Sequence, residues 1–273
     1  MSRSGLPGHD GRRDAPMTAS GVAGMTGADC EWAAELMQCR REVYAAYSPV
    51  FWRPAKDAIA PHARFLQRQL ARDDVTGLRT GHGFVIGEVR VIGEVRVIGE
   101  VRVIGELRRQ EGFIDDFAVD DGQRWAGDGH HLLLAAWERM KASGASSLRV
   151  VSARRDLPKN ALLESAGLGP AEEWWVKPLF PAGRTERSGG VSGHGFSGHL
   201  GPAPPVYDPG GPVLLVHRIE PGVPLAAVEQ EAAGWGAVLA IVPEAPAGPR
   251  SGELTVGGYE VASVWFTGVP RAS

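Results

Sequence analysis

The chain has 273 residues, enough for one large or two modest domains with hydrophobic cores of their own. Its net charge of -3 excludes a broad attraction to nucleic acid or to an anionic membrane surface. Two cysteines, Cys30 and Cys39, are too few for a disulfide framework, and no apolar run reaches the roughly 18 residues of a membrane helix or forms a signal-peptide core. We therefore expect a cytoplasmic protein with no nucleic-acid and no membrane partner.

Two segments have the composition of disordered chain. Residues 1–28 hold hardly any large apolar side chain and predict a disordered tail. Residues 180–211 are rich in Gly, Pro and Ser and predict a flexible linker. The rest divides into a main domain over residues 29–179 and a smaller unit over residues 212–273.

Apolar spacing predicts the elements of the main domain in chain order. Helical spacing and alternation give, in turn, helices over 31–47 and 58–72, an extended segment from 83, a strand over 113–119, a helix over 129–143, a strand over 148–153 and a helix over 159–166. This succession predicts a mixed α/β layer fold.

The extended segment contains the six-residue unit VIGEVR, repeated over residues 85–108. A left-handed β-helix is excluded because Arg90, Arg96 and Arg102 fall on positions that would point inward. An even period suits a strand with valines on one face and Ile, Glu and Arg on the other. At about 3.3 Å per residue a single strand would be roughly 80 Å long, so the run must fold back, protrude or fray near its glycines. We interpret it as a tolerated expansion within a strand or hairpin.

A loop after the strand over 114–119 carries the clearest chemical signal. Gly127 and Gly129 stand where the loop opens onto a helix, and glycines at a helix start let free N–H groups approach a phosphate. Leu132 occupies the third glycine position of a dinucleotide fingerprint, and the Gly-Lys-Ser/Thr of a P-loop is absent. The loop predicts a pyrophosphate cradle, or else glycines that only turn the chain.

The segment Arg124-Trp-Ala-Gly-Asp-Gly129 resembles the R/Q-x-x-G-x-G/A loop of the GCN5-related N-acetyltransferase (GNAT) superfamily. The preceding IDDFAV is similar to that family's fourth strand, and Asn160 to Leu168 resembles its N-x-x-A helix. The resemblance implies a central mixed β-sheet flanked by helices, and acetyl-CoA as cosubstrate.

The resemblance also implies site residues. The backbone of Phe117 and Val119 would pair with the pantetheine arm, and Asn160 would hydrogen-bond to it. The pyrophosphate would be held by the loop residues Arg124, Trp125, Ala126, Gly127, Asp128, Gly129 and His130. Leu163 stands where many members have a tyrosine that protonates the leaving thiolate, so the general acid is left open.

Asp115 and Asp116 are the candidates for a general base, with a solvated or capping carboxylate as the alternative. Strand alternation would put Asp116 on the opposite face from Asp115 and Phe117, so only one aspartate would face the cleft. Four residues are expected either to line the acceptor pocket or to belong to the core: Tyr44, Tyr47, Trp52 and His62. No metal is expected, because His130 lacks further ligands at metal-binding spacing.

The C-terminal unit repeats part of the main domain at a shift of 91 residues. The shift brings Leu148 onto Leu239, Val151 onto Val242, Gly167 onto Gly258 and Trp174 onto Trp265. Residues 220–224 then enter the helix without the glycine loop. This predicts an incomplete GNAT-like half-domain that packs on the first, covers a sheet edge or forms part of the acceptor pocket.

The predicted function is transfer of an acetyl group from acetyl-CoA to a primary amine of a small molecule or peptide. The alternative is a non-catalytic acyl-CoA-binding or protein-interaction module. It is favoured by Leu163, which replaces the tyrosine acid, and by the lack of an unambiguous general base.

Overall fold

The structure, a computed structural model, describes residues 21–93, 97–98, 101–102, 108–183 and 188–271. Its α-helices are α1 Cys30–Ala45, α2 Ile59–Leu70, α3 Asp128–Ala142, α4 Leu157–Ser165, α5 Leu225–Gly234 and α6 Ser251–Val256. The first strands are β1 Ala23–Gly24, β2 Val75–Arg79, β3 Gly83–Gly93, β4 Val97–Ile98, β5 Val101–Arg102, β6 Arg108–Val119 and β7 Ser147–Ala153. The later strands are β8 Gly169–Pro178, β9 Gly189–Gly193, β10 Phe196–Gly201, β11 Val213–Ile219, β12 Leu239–Glu244 and β13 Glu260–Gly268.

Eleven of these strands form one mixed sheet in the order β1-β2-β3-β6-β7-β13-β8-β12-β11-β10-β9, while β4 and β5 pair with each other. The predicted mixed α/β fold with a central sheet flanked by helices is therefore confirmed. The repeat over 85–108 folds back, because β3 and β6 pair antiparallel from Gly83 with Val119 to Gly93 with Arg108. Residues 94–96, 99–100 and 103–107 of the repeat lie outside the described residues.

The two halves of the chain exchange a strand in the middle of the sheet. β13, the last strand, is antiparallel to β7 on one side and to β8 on the other. β8 in turn pairs with β12 of the C-terminal half. The starts of β8 and β13, Gly169 and Glu260, are 91 residues apart, and β7, α4 and β8 recur as β12, α6 and β13. Each half therefore completes the sheet of the other.

Helices cover both faces of the first half. On one face, with α3 and α4, Val85, Ile114 and Phe117 belong to the largest core cluster. On the other face, with α1 and α2, Phe84 and Ala118 pack in a second cluster. Alternation along β3 and β6 separates these two sets. We call the two surfaces the α3/α4 face and the α1/α2 face.

Two predictions of disorder are wrong over described residues. In the segment 1–28, Val22 and Ala23 are buried and Ala23 pairs with Arg79 of β2, while residues 1–20 lie outside the described part. In the segment 180–211, β9 and β10 join the sheet and bury Phe196 and Leu200. Composition misleads there because the glycines serve the sheet: a β-carbon at Gly198 would lie 2.5 Å from the Leu215 carbonyl oxygen.

Candidate functional site

β6 and β7 diverge in the middle of the sheet. They pair in parallel from Glu111 with Ser147 to Ile114 with Val150, and within the described residues no further pairing joins them, although β6 runs on to Val119 and β7 to Ala153. The gap opens directly after Ile114, so Asp115 stands at its apex. In a gap of this kind the backbone groups of the two strand ends no longer pair with each other and must find other partners.

A β-bulge sits at the same point and decides where the two aspartates lie. Ile86 pairs with Asp116 but Gly87 pairs with Ile114, which leaves Asp115 as the extra residue. Ile114 and Phe117 consequently both pack in the core on the α3/α4 face, although two residues, Asp115 and Asp116, separate them in sequence. The expectation that Asp115 shares a face with Phe117 is wrong, because alternation does not survive a bulge.

Asp116 is engaged by residues of α1 and α2. His62 Nε2 lies 3.1 Å from Asp116 Oδ1, and His62 Nδ1 lies 2.7 Å from Arg41 Nη2. A guanidinium only donates, so Nδ1 accepts from Arg41 and the proton on Nε2 is directed at Asp116. Burial acts to raise the pKa of Asp116, but the His62 ring and the Arg41 charge outweigh it and lower that pKa.

Asp115 differs from Asp116 in exposure and in charge environment. Its side chain is 53% exposed and lies 3.8 Å from Arg90 Nη2. Desolvation at the base of the gap, together with the neighbouring Asp116 charge, raises the pKa of Asp115 to about 6. Such a carboxylate is ionised at neutral pH yet basic enough to accept a proton, which favours Asp115 over Asp116 as a general base.

The glycine loop leads from β6 into α3 through a short 3-10 helix, Gly122–Ala126. Gly127 precedes the first residue of α3, and a β-carbon there would meet nothing within 4 Å. The backbone N–H groups of Asp128, Gly129 and His130 make no hydrogen bond among the described residues. A helix start with free N–H groups and open space beside it suits an anion.

The side chains of this loop are less favourable to an anion. Arg124 is shared between two carboxylates, with Nε 3.0 Å from Asp120 and Nη1 3.4 Å from Asp128. Trp125 is buried, and a β-carbon at Gly129 would lie 2.7 Å from the Trp125 ring. Gly129 is therefore required for packing. Of the other loop residues, Ala126 and Gly127 are exposed and His130 is half-buried.

Lys159, which the sequence analysis did not single out, lies buried beside the gap. Its ammonium donates to the Phe117 carbonyl at 3.2 Å and lies 5.2 Å from the Phe117 ring centre and 5.4 Å from that of Trp125. Burial lowers the pKa of Lys159 to about 8 despite the opposing charge of Asp156. The backbone carbonyl expected to bind pantetheine is thus taken by a side chain of α4.

Asn160 binds the backbone at the end of β7, the other strand that borders the gap. Its Nδ2 donates to the carbonyls of Ala153 at 3.4 Å and Arg154 at 3.0 Å, while its Oδ1 is buried without a partner among the described residues. Next to it, the buried Asp156 accepts from Arg40 at 2.5 Å and from the Tyr44 hydroxyl at 2.6 Å. Arg40 and Asp156 are far apart in sequence, so no local pattern could have revealed the pair.

The aromatic residues expected near the acceptor come together at the α1/α2 face. The ring of Tyr44 lies 5.9 Å from Tyr47 and 5.3 Å from Trp52. The C-terminal half adds Tyr207, whose ring lies 5.5 Å from Trp52. Burial raises the pKa of Tyr207 to about 12, so that its hydroxyl stays protonated at neutral pH.

In the C-terminal half, the corresponding helix is α5, and side chains of the protein contact the backbone at and before its start. The Leu225 N–H at the start of α5 donates to Glu253 Oε1 at 3.3 Å. Arg250 Nη2 donates to the carbonyls of Ile219 at 2.9 Å and Glu220 at 3.2 Å. Glu253 thus occupies an N–H group at the start of α5, and Arg250 occupies the carbonyl groups at the end of β11.

The described residues contain no cluster of three His, Cys, Asp or Glu side chains suited to a metal ion. None of the helices in the described part is both long and apolar enough to span a membrane.

No protein-family model and no curated protein matches the sequence. In structure, the chain is similar to a protein from Thermoplasma acidophilum classed as an acetyltransferase, with a TM-score of 0.56 and 10% identity over 90% of this chain and 97% of that one. It is also similar to a GCN5-related N-acetyltransferase from Sphaerobacter thermophilus, with a TM-score of 0.51 and 12% identity over 94% of this chain and 98% of that one. Because both similarities extend across the two halves, the chain has the fold of the GCN5-related N-acetyltransferases.

Proposed function

We propose that the first half transfers an acetyl group from acetyl-CoA to a primary amine. The observation that carries this proposal is the gap between β6 and β7 next to the free N-terminus of α3. The open space at Gly127 and the N–H groups of Asp128, Gly129 and His130 fit a pyrophosphate. Phe117 and Val119 would hold the pantetheine arm, which requires Lys159 to move away from the Phe117 carbonyl.

Acetyl-CoA would supply the acetyl group as an activated thioester. Asp115 would take the proton from the amine as the new N–C bond forms and the C–S bond breaks, a contribution of about 10² to 10⁴ in rate. His62 and Arg41 would hold Asp116 ionised behind it, which keeps the pKa of Asp115 high. Asn160 would position the arm at the end of β7.

A cytoplasmic location belongs to the proposal, since Cys30 and Cys39 are both unpaired.

A second function, non-catalytic acyl-CoA binding or protein interaction, is favoured by one observation. The buried Lys159 ammonium occupies the carbonyl that the arm would use, and Asp120 and Asp128 neutralise Arg124 beside the cradle. On this alternative the gap would remain closed to the arm, or would bind it without turnover.

Release of free thiol from acetyl-CoA, measured over a panel of primary amines, separates the two. Turnover with any amine supports the transferase. Calorimetric binding of coenzyme A without turnover supports the non-catalytic module. The absence of both binding and turnover would overturn the transferase and the acyl-CoA-binding module, and would leave protein interaction as the remaining alternative.

A further inference from the structure

Four aromatic rings form a continuous line across the α1/α2 face of the sheet. The ring of Phe113 on β6 lies 4.8 Å from Trp265 on β13, which lies 5.9 Å from Trp174 on β8. Trp174 in turn lies 6.3 Å from Phe51 in the segment after α1. We call Phe51, Phe113, Trp174 and Trp265 the aromatic row. Trp265, the second ring of the row, is supplied by β13, the strand that the C-terminal half inserts into the sheet.

The row begins beside the proposed base. Phe113 precedes Asp115 by two residues on β6, at the point where β6 and β7 diverge. Arg90 links the two, because its guanidinium lies 3.8 Å from the Phe113 ring centre and also 3.8 Å from Asp115 Oδ2. A molecule lying on the row could therefore place an amine at Asp115.

The row also retains unused binding capacity. Phe51, Phe113 and Trp174 are only half-buried, so part of each ring remains accessible. Trp265 is 6% exposed, and its Nε1 has no hydrogen-bond partner among the described residues. Buried Trp125 and Trp175 also lack a partner for Nε1 among the described residues, so the accessible rings, and not the Trp265 indole N–H, indicate a binding surface.

The charges on this face decide which kind of molecule fits. Glu172 already accepts from Arg149 at 2.9 Å and from the Trp174 indole at 2.6 Å. Arg90 faces Asp115 and Glu88, and Arg149 lies 5.2 Å from the Trp265 ring centre. The Arg90 and Arg149 guanidinium groups thus pair with carboxylates beside the row and also lie against its rings. Flat rings flanked by guanidinium planes suit a flat aromatic group.

From this arrangement we infer that the acceptor is a primary amine with an aromatic body, such as an arylalkylamine. The aromatic row holds the ring, and Asp115 receives the amine. The inference rests on the proposed acetyl transfer and specifies its substrate class.

The first experiment compares four amines as acceptors in the thiol-release assay: 2-phenylethylamine, n-hexylamine, spermidine and a lysine peptide. We expect kcat/KM for 2-phenylethylamine to exceed that for n-hexylamine by roughly tenfold, the discrimination that one aromatic contact supplies. Equal values, or a preference for spermidine or the peptide, would overturn the aromatic assignment while leaving acetyl transfer intact.

The second experiment uses Trp174→Ala, because Trp174 is half-buried and its loss leaves the sheet hydrogen bonds in place. We expect KM for 2-phenylethylamine to rise about tenfold, KM for n-hexylamine to change little, and Trp174→Phe to restore most of the affinity. The matched control is Trp32→Leu, a half-buried tryptophan on α1 that contacts Phe84 instead of the row. Similar effects of both variants on both amines would contradict the proposed subsite.

A third measurement separates this inference from the proposed chemistry. Calorimetric titration of 2-phenylethylamine into the full chain, with and without coenzyme A, reports binding even if no amine is acetylated. Binding that Trp174→Ala weakens, in the absence of turnover, would retain the aromatic subsite and reject the transferase. No binding under either condition would reject the subsite.

Discussion

The Lys159 ammonium donates to the Phe117 carbonyl at 3.2 Å, in the gap that a coenzyme A arm would have to enter. We therefore expect Lys159→Met to strengthen coenzyme A binding by roughly tenfold or more, because the arm no longer competes with a charge-assisted hydrogen bond of about 1.5 to 3 kcal/mol. Titration calorimetry of the parent and the variant measures the change. Unaltered or weaker binding would show that Lys159 does not obstruct the arm.

The same residue predicts a dependence of stability on pH. The pKa of Lys159 is lowered to about 8 in the fold, against 10.5 for an unperturbed lysine, so between these values the unfolded chain binds more protons. Stability of the parent relative to Lys159→Met should therefore rise as pH increases from about 8 to 10.5, by up to roughly 3 kcal/mol. Denaturant unfolding of both proteins at pH 7 and pH 10 checks this. A pH-independent difference would contradict the burial of a charged Lys159.

Asp115 sets the expected pH dependence of turnover. Because its pKa is raised to about 6 and a base must be ionised, kcat/KM should fall as pH drops below about 6. Asp115→Asn should lower kcat/KM by about 10² to 10⁴ and abolish that acid limb. In contrast, Asp116→Asn should mainly reduce stability, because it removes the partner of buried His62. If kcat/KM of Asp115→Asn still falls below pH 6 as in the parent, Asp115 is excluded as the base.

Gly127 tests the pyrophosphate cradle without disturbing the core. A β-carbon at Gly127 has open space, so Gly127→Val should leave thermal stability nearly unchanged and weaken coenzyme A binding by an order of magnitude or more. Gly129→Val should also lower stability, because its side chain would collide with the Trp125 ring. Gly252→Val in α6, where space is likewise open, is the control. Equal coenzyme A affinity in Gly127→Val and the parent would mean that the loop is only a turn.

The repeat hairpin should be dispensable. Arg90 pairs with Glu111, so deletion of residues 91–108 leaves Arg109 and Gln110 as a two-residue turn. A second version replaces Arg109 and Gln110 by Asn and Gly, the residues preferred in two-residue hairpin turns. We expect soluble protein, a melting temperature within a few degrees of the parent and unchanged coenzyme A affinity. Insoluble protein from both the deletion and its Asn-Gly version would indicate a structural role for the repeat.

The strand exchange predicts that neither half folds alone. A chain ending at residue 183 would lack β12 and β13, leaving β8 without a neighbour and β7 paired only with β6. It should aggregate, whereas its coexpression with residues 188–273 should restore a soluble complex. Sizing chromatography of the coexpressed pieces measures this. A soluble, folded first piece by itself would refute the interdependence.

Local patterns predicted much of the fold and little of the site's electrostatics. Apolar spacing predicted α1 to α4, β3, β6 and β7 but not β1, β2 or β8, and the place of Gly127 before a helix was also predicted. The bulge at Asp115 breaks alternation, and no residue type in IDDFAV announces it. Lys159 and Phe117, like Arg40 and Asp156, meet only through tertiary structure. β9 and β10 were missed because their burial depends on partners and not on composition.

The position of β13 has a consequence for synthesis of the chain. Leu148 of β7 is paired with Gly268, so the first half emerges from the ribosome long before its neighbouring strand exists. Until β13 has been synthesised, β7 and β8 present open strand edges, which are templates for pairing with other nascent chains. A chain that terminates before β13 would leave these edges exposed permanently. The protein is therefore expected to depend on chaperones during translation far more than a GNAT fold of one uninterrupted half.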